Sequence, residues 1–357
     1  MADLFKVTSS PHVHAKATTP RIMWEVFFAL VPAAAVAVYA FGLESVRVIL
    51  ITTAACVALE ALYQKLAGGK VTAMDGSAAL TGLLLALNLP PTAPWWLCLA
   101  GAIIAVIIAK ALFGGLGQNI FNPALTARVF LLISFPAQMT RWMIPSQAGD
   151  MAKSFLGFNT NFIDHGGEVI KEAAKITVGQ VDIVTAASPL GLLKEQGAAA
   201  LGQLEWWHLA VGHLTNGSLG EISAAALLAG GVYLIARRII SWHIPVSFLG
   251  TMAVFATITH AVDPARYAGF EFHLAAGGAM LGAFFMATDY VTSPMYPLGK
   301  IVFGCGCGAL TMIIRLWGGY PEGVSFAILL MNALTPLIDR YATEKKFGFK
   351  KEPKEET

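Results

Sequence analysis

Charge is scarce in this sequence. Asp, Glu, Lys and Arg make up 13% of its 357 residues, against roughly a quarter in a soluble globular chain. A chain so poor in charge does not cover a water-facing surface of its own size, which argues against a soluble enzyme. Cysteine is scarce too. The four, Cys56, Cys98, Cys305 and Cys307, have no zinc or iron–sulfur spacing, so no metal is expected here. Cys305-Gly-Cys307 is read mainly as a run of small packing residues. The sequence also lacks a Gly-rich nucleotide fingerprint and a CxxC array, so nicotinamide or iron–sulfur chemistry would belong to other subunits. A net charge of +2 gives no reason to expect a nucleic-acid partner. The first twenty residues, MADLFKVTSSPHVHAKATTP, hold no apolar stretch, so no cleavable signal is expected and the N-terminus is expected in the cytoplasm.

What is abundant is apolar sequence. Hydrophobic residues make up 56% of the chain, and they fall in runs of about 20, the length that crosses about 30 Å of hydrocarbon as a helix. The runs lack the period-two alternation of barrel strands. The expected fold is an all-α integral membrane protein of about ten transmembrane helices, near 22–42, 46–67, 77–89, 95–113, 123–136, 222–240, 244–262, 273–288, 298–316 and 324–342. This divides the chain into an N-terminal segment 1–21, a first five-helix repeat 22–136, a polar loop 137–221, a second five-helix repeat 222–342 and a tail 343–357. Strict alternation from a cytoplasmic N-terminus puts sixteen Lys and Arg inside, Lys110 and Arg128 among them, and eight outside. The positive-inside rule agrees with both termini being cytoplasmic and the long loop external.

The halves resemble one another. Gly76-Ser-Ala-Ala-Leu-Thr-Gly-Leu-Leu-Leu-Ala-Leu-Asn88 parallels Gly277-Gly-Ala-Met-Leu-Gly-Ala-Phe-Phe-Met-Ala-Thr-Asp289, and Leu112-Phe-Gly-Gly115 parallels Leu316-Trp-Gly-Gly319. An odd number of helices per half makes the repeats inverted. Short Gly- and Pro-interrupted helices of inverted repeats commonly meet near the midplane and build a site. By itself this pattern also suits a urea- or ammonium-channel-like transporter without a redox cofactor, and Gly-rich membrane helices can look alike by chance.

Four segments point to redox chemistry instead. Asp182-Ile-Val-Thr-Ala-Ala-Ser-Pro-Leu190, in the polar loop, resembles the flavin-attachment sequence D-x-x-[ST]-x-A-T-P-L of the membrane proteins RnfD and NqrB. Gly114-Gly-Leu-Gly-Gln-Asn-Ile-Phe-Asn-Pro-Ala124, Met286–Lys300 and Gly318–Asp339 are similar to further segments of that family, as is Ser10-Pro-His-Val-His14. Together they span nearly the whole chain in order, and the short N-terminal segment is more like RnfD than NqrB. The resemblance implies an electron-transfer subunit of an ion-translocating ferredoxin:NAD oxidoreductase (Rnf) complex in the bacterial inner membrane, coupled to Na⁺ or H⁺ movement. The alternative within the family is the NqrB component of a Na⁺-translocating NADH:quinone reductase. It implies FMN joined through its phosphate to Ser188 by a flavin transferase, with Asp182, Thr185 and Ala187 as the surrounding motif. By analogy it also implies a second, non-covalent riboflavin. The implied partners are the other Rnf subunits, membrane subunits and an external FMN-bearing subunit among them. Ser188 stands where the family has threonine, and Ala186 where it commonly has glycine. A serine before proline is also an ordinary helix cap.

Further candidates are Asn119 and Asn122, beside Gly117 and Pro123, and Thr288, Asp289 and Thr292, at the end of a short span. An ionisable group at a broken membrane helix marks a functional site by default. Asp289 is read as a hydrogen-bond partner of a flavin ring, a cation site, or a helix-end carboxylate in water. Asn119 and Asn122 either bind flavin or close an irregular backbone. Glu60 has no basic residue four positions away, and belongs to an ion path or to a polar partner elsewhere in the fold. Trp95-Trp96 and Trp206-Trp207 are read as interfacial belts, with shielding of a flavin as the alternative for Trp206-Trp207.

Overall fold

The structure, a computed structural model, describes residues 18–68, 72–142, 188–198, 209–210 and 216–342. Among these residues the protein is helical, with no strand. The first half comprises α1 (Thr19–Phe41), α2 (Leu43–Leu66), α3 (Ser77–Leu87), α4 (Trp95–Ile103) and α5 (Pro123–Ser134). After α6 (Pro189–Gln196), the second half comprises α7 (Ala224–Ala236), α8 (His243–Val262), α9 (Phe270–Ala275), α10 (Ala279–Leu281), α11 (Pro297–Trp317) and α12 (Val324–Tyr341).

Every expected span coincides with helical structure. Five segments are long and apolar enough to cross a membrane by length and composition: Thr19–Phe41, Leu43–Leu66, Trp95–Phe113, His243–Val262 and Pro297–Trp317. Ser77–Leu87, Pro123–Ser134 and Ala224–Ala236 are apolar but shorter. The segment expected as one helix over 273–288 is interrupted. Gly277 sits at φ 68°, a left-handed conformation that other residues adopt only at a cost, and a Cβ there would lie 2.6 Å from Leu190 Cδ1. The chain restarts as α10 and continues as a π-turn over Gly282–Met286. The first half has a π-turn too, at Ile104–Ile108 after α4. Such single-turn insertions in α-helices recur at functional sites.

Local chemistry sets several boundaries. Asn122 caps α5, accepting from Ala124 N at 3.1 Å and Leu125 N at 3.3 Å, with Pro123 at the first helical position, where a missing N–H costs nothing. Ser223 caps α7 in the same way, accepting from Ala226 N.

Small residues then bring the helices together. A Cβ on Gly82 of α3 would lie 2.6 Å from the Thr53 Cα of α2. One on Gly308 of α11 would lie 2.6 Å from the Phe248 carbonyl of α8, and Gly304, one turn earlier, meets Ile244 and Ser247 of the same helix. This is the close approach that small residues four apart allow in membranes, where lipid supplies no hydrophobic drive between helices. Cys307 is buried in that seam, in keeping with its reading as a packing residue. A main apolar core runs through both halves, while Leu190 and Leu193 of α6 join Leu209, Ala268, Phe272, Ala275 and Ala276 in a separate cluster. That second cluster seats α6 against the start of the interrupted segment.

Candidate functional site

Helix α11 has 21 residues and is therefore about 30 Å long. A cavity lies towards each of its ends.

The first cavity measures about 90 Å³ and gathers residues from five separate stretches of sequence. Asn119, Asn122, Thr288 and Asp289 all line it, with Ser77, Lys110 and apolar side chains. Thr292 is buried behind them, and its hydroxyl donates to Asp289 Oδ2 at 3.3 Å. The Asn119 side chain, in the same lining, donates to the Phe121 carbonyl at 3.1 Å. Asn122 donates to the Met286 carbonyl at 3.3 Å, tying the start of α5 to the π-turn. The Thr288 hydroxyl donates back to the Phe284 carbonyl at 2.6 Å. Thr335 donates to the Thr292 carbonyl at 2.9 Å. With its amide oriented to satisfy both ends, Asn332 also donates to that carbonyl and accepts from Asn122 N, each at 3.2 Å. Five of the sequence candidates thus gather at one cavity or just behind it.

Lys110 was not a candidate, yet it is central to this cavity. Its ammonium donates to Glu60 at 2.7 and 2.9 Å and to Ser77 Oγ at 2.8 Å, and both members of the pair are buried. The Glu60 partner is therefore elsewhere in the fold, where periodicity along α2 could not show it. Lys110 is no free topology anchor, contrary to its place in the charge count. The available signal was the residue itself, a lysine closing an apolar run. Burying such a pair is compensated only by close geometry and further hydrogen bonds, which Ser77 and Gln64 supply.

At the opposite end of α11, Ser188 caps α6. Its hydroxyl accepts from Gly191 N at 3.2 Å, and the residue is buried. Pro189 follows at the first helical position, and Gly197 ends the helix at φ 79°. Lys194 donates to the carbonyls of Gly318 and Tyr320, pinning α6 to the turn after α11. Partial burial holds its ammonium below the ordinary lysine value. Asp182, Thr185 and Ala187 lie outside the described residues, as do Trp206, Trp207, His12 and His14.

A cavity of about 400 Å³ opens beside α6, lined by Leu190, Leu193, Lys194, Arg266, His273 and Arg315 among others. Arg315 is buried and donates to the carbonyls of His273 at 2.6 Å and Ala276 at 2.9 Å, the two residues flanking the end of α9. Next to it lies a second buried ion cluster, also absent from the sequence reading. Arg128 donates to Asn88 Oδ1 at 2.7 Å, to Glu221 at 3.4 Å and to Glu322. Ser218 adds a hydrogen bond to Glu221 at 2.6 Å. Arg128 thus joins the first half to the second, and like Lys110 it is a buried partner rather than a surface anchor.

The residues of the two cavities differ in how they suit a flavin. Small-molecule sites enclose roughly 300–1,000 Å³. The cavity beside α6 meets that range; the one at Asp289 is well below it. An anionic group on Ser188 would meet the N-terminus of α6, where free N–H groups and the helix dipole favour negative charge.

Comparison with known proteins gives a consistent result. A family model described as the NQR2, RnfD, RnfE family matches residues 6–348. The D subunit of the Na(+)-translocating ferredoxin:NAD(+) oxidoreductase complex of Acetobacterium woodii is 45% identical over 350 residues, covering 98% of this chain and 97% of the relative. The D subunit of the proton-translocating ferredoxin:NAD(+) oxidoreductase complex of Clostridium ljungdahlii is 42% identical, covering 97% of each. The D subunit of the ion-translocating oxidoreductase complex of Escherichia fergusonii is 40% identical, covering 98% and 99%.

Proposed function

The chain belongs to the NQR2, RnfD, RnfE family, and from that premise we propose that it is the flavin-bearing D subunit of an ion-translocating ferredoxin:NAD oxidoreductase complex. Its end-to-end similarity to the D subunits of such complexes supports a multi-pass membrane protein that works beside the other components. It is part of an enzyme rather than a complete one.

Ten transmembrane segments in two inverted five-helix repeats are part of this proposal. Several features support that arrangement. Each half contains five helical segments in corresponding order, counting α9, α10 and the π-turn after them as one. Gly76 and Gly277, aligned by the repeat, both take positive φ just ahead of the short helix. Each half also sets a buried cation, Lys110 or Arg315, near that start. Arg21, Arg237 and Glu25 meet at one end of the bundle. That end is proposed as the cytoplasmic one, and Ser188 then lies on the external side.

The observation that carries the flavin reading is Ser188 itself. It occupies the acceptor position of the attachment motif, and it caps a helix whose next residues, Leu190, Leu193 and Lys194, line the only one of the two cavities large enough for a ligand of that size. Its hydroxyl would exchange its proton for a bond to phosphorus, the transferase supplying a flavin phosphoanhydride whose P–O bond breaks so that the outer phosphate group leaves, while its remaining lone pair can still accept from Gly191 N. When bound, the flavin supplies the redox chemistry; the chain holds it, orients it and shapes its surroundings. At the Asp289 cavity, the small volume and the ring of oxygen and amide groups favour a cation or proton role over enclosure of a second flavin. The relatives named for Na⁺ and for protons are nearly equally similar to this chain, so both ions fit this reading.

The test is co-expression with a flavin transferase, followed by a denaturing gel under ultraviolet light. A fluorescent band is expected for the wild-type chain and none for Ser188→Ala. A dark wild-type band, with the transferase shown to be active on another substrate, would refute the covalent tether.

A further inference from the structure

The turn between α7 and α8 holds a residue in a conformation that its side chain disfavours. Helix α7 closes in a Schellman arrangement, with Arg238 N donating to the Ile235 carbonyl at 2.9 Å and Ile239 N to the Leu234 carbonyl at 3.0 Å. Arg238 is the residue that turns left-handed, at φ 56°, and no other non-glycine residue does so among the described residues. Glycine is the ordinary occupant of that position, because a Cβ there crowds the following carbonyl. The Arg238 side chain is exposed, and it makes no ion pair or hydrogen bond among the described residues. The conformational cost is therefore offset by no contact of that side chain within them. A left-handed non-glycine residue that persists in this way points to a use outside the fold.

The surroundings say what kind of group this arginine meets. Its neighbour Arg237 shares the Glu25 carboxylate with Arg21, at 3.2 and 3.1 Å. Three guanidiniums thus stand against one carboxylate. Asp75, whose neighbour Gly76 lies against the Trp24 indole, is turned to Ser77 N at 2.8 Å. Along the two helices that the turn joins, exposed side chains are aliphatic: Val232 and Leu228 on α7, Val246 and Val254 on α8. Trp242, 53% exposed, stands where the basic turn meets α8, the position that indoles take at a membrane interface. Guanidiniums bind phosphate through paired N–H groups, and basic groups at the ends of membrane helices attract anionic head groups. A soluble acidic segment would meet the guanidiniums and leave the aliphatic side chains uncovered. A lipid covers both.

We propose that Arg237, Arg238 and Trp242 form a docking site for an anionic phospholipid, with its phosphate on the guanidiniums and its acyl chains along the aliphatic faces of α7 and α8. The site does not depend on a flavin at Ser188.

The test uses the full-length chain, stripped of lipid in detergent, and reads its tryptophan fluorescence against phosphatidylglycerol and phosphatidylcholine brominated in their acyl chains. Bromine quenches an indole only at close range. The chain has 8 Trp, so the Trp242 signal is taken as the difference from Trp242→Phe. Phosphatidylglycerol should quench it at a lower mole fraction than phosphatidylcholine, which carries a phosphate but no net charge. The preference expected is about fivefold for each arginine near the head group. Arg238→Gly should lose about fivefold of that preference and yet raise the midpoint of thermal unfolding, since glycine takes positive φ freely. Arg238→Gln should lose the same preference without the rise. Equal quenching by the two lipids overturns the proposal and leaves the guanidiniums to an acidic protein segment. A preference undiminished in both Arg238 variants overturns it as well. So does reversal of the quenching by inorganic phosphate, which would make this a site for a free anion.

Discussion

The Asp289 cavity and the His273 cavity lie towards opposite ends of the same helices, and they satisfy their polar groups in opposite ways. At Asp289 the named polar side chains have partners. Lys110 has Glu60 and Ser77, Asp289 has Thr292, Asn119 has the Phe121 carbonyl, and Asn122 has the Met286 carbonyl and its own helix start. The space left is about 90 Å³. At His273 the space is about 400 Å³, and His273, Arg315 and Glu322 each carry a polar atom without a partner. A closed network holds its own geometry and leaves room only for something small, such as an ion or a proton. An open one leaves buried polar atoms without a partner. The same chain thus builds two cavities that differ in volume and in how their polar groups are paired.

The largest effect expected from breaking this comparison is at Arg128. Arg128→Leu strands Glu221 and Glu322 together inside the protein, and removing one member of a buried ion cluster costs roughly 3–5 kcal/mol. Thermal unfolding in detergent should show a loss at the upper end of that range, and an unchanged transition would show that the cluster is hydrated rather than buried. Next is Lys110→Met, which strands one carboxylate instead of two and should fall near the lower end, about 3 kcal/mol. Adding Glu60→Leu should recover most of the loss, because an apolar pair of similar volume often replaces a buried ion pair without penalty. A double variant as unstable as the single one would point to a role for Lys110 with Asp289 or Ser77 beyond pairing Glu60. The smallest effect is expected at the exposed pair of Arg21 with Glu25, 3.1 Å apart. Arg21→Ala should change stability by about 0–1 kcal/mol, measured in the same unfolding experiment. A larger loss would mean that the Arg21, Glu25 and Arg237 group acts as a network.

Much of the Asp289 site was legible in the sequence because its members announce themselves. Carboxylate, asparagine and threonine residues beside Gly and Pro interruptions are conspicuous in apolar sequence. The His273 site was not legible. His273 and Arg315 sit within or beside runs read as ordinary spans, and nothing in their spacing distinguishes a buried arginine from one at a helix end. The same blindness put Lys110 and Arg128 among the topology anchors. A charge count registers where a residue falls along the chain, whereas pairing depends on what another helix brings to it. Gly277 was seen as a small residue in a short helix, and its φ of 68° shows that it divides the helix.

Sequence alone determined that this chain is built of apolar helices, where those helices lie, and which family it belongs to. Run length, cap residues and segment motifs are local properties, and each is read over a few turns of chain. Only the tertiary structure decided that Glu60 meets Lys110, that Arg128 joins the two halves, and that His273 and Arg315 face one cavity beside Ser188. These contacts join residues 40 to almost 200 positions apart, and the close crossing of glycine-bearing helices, rather than any local preference, brings them within hydrogen-bonding distance.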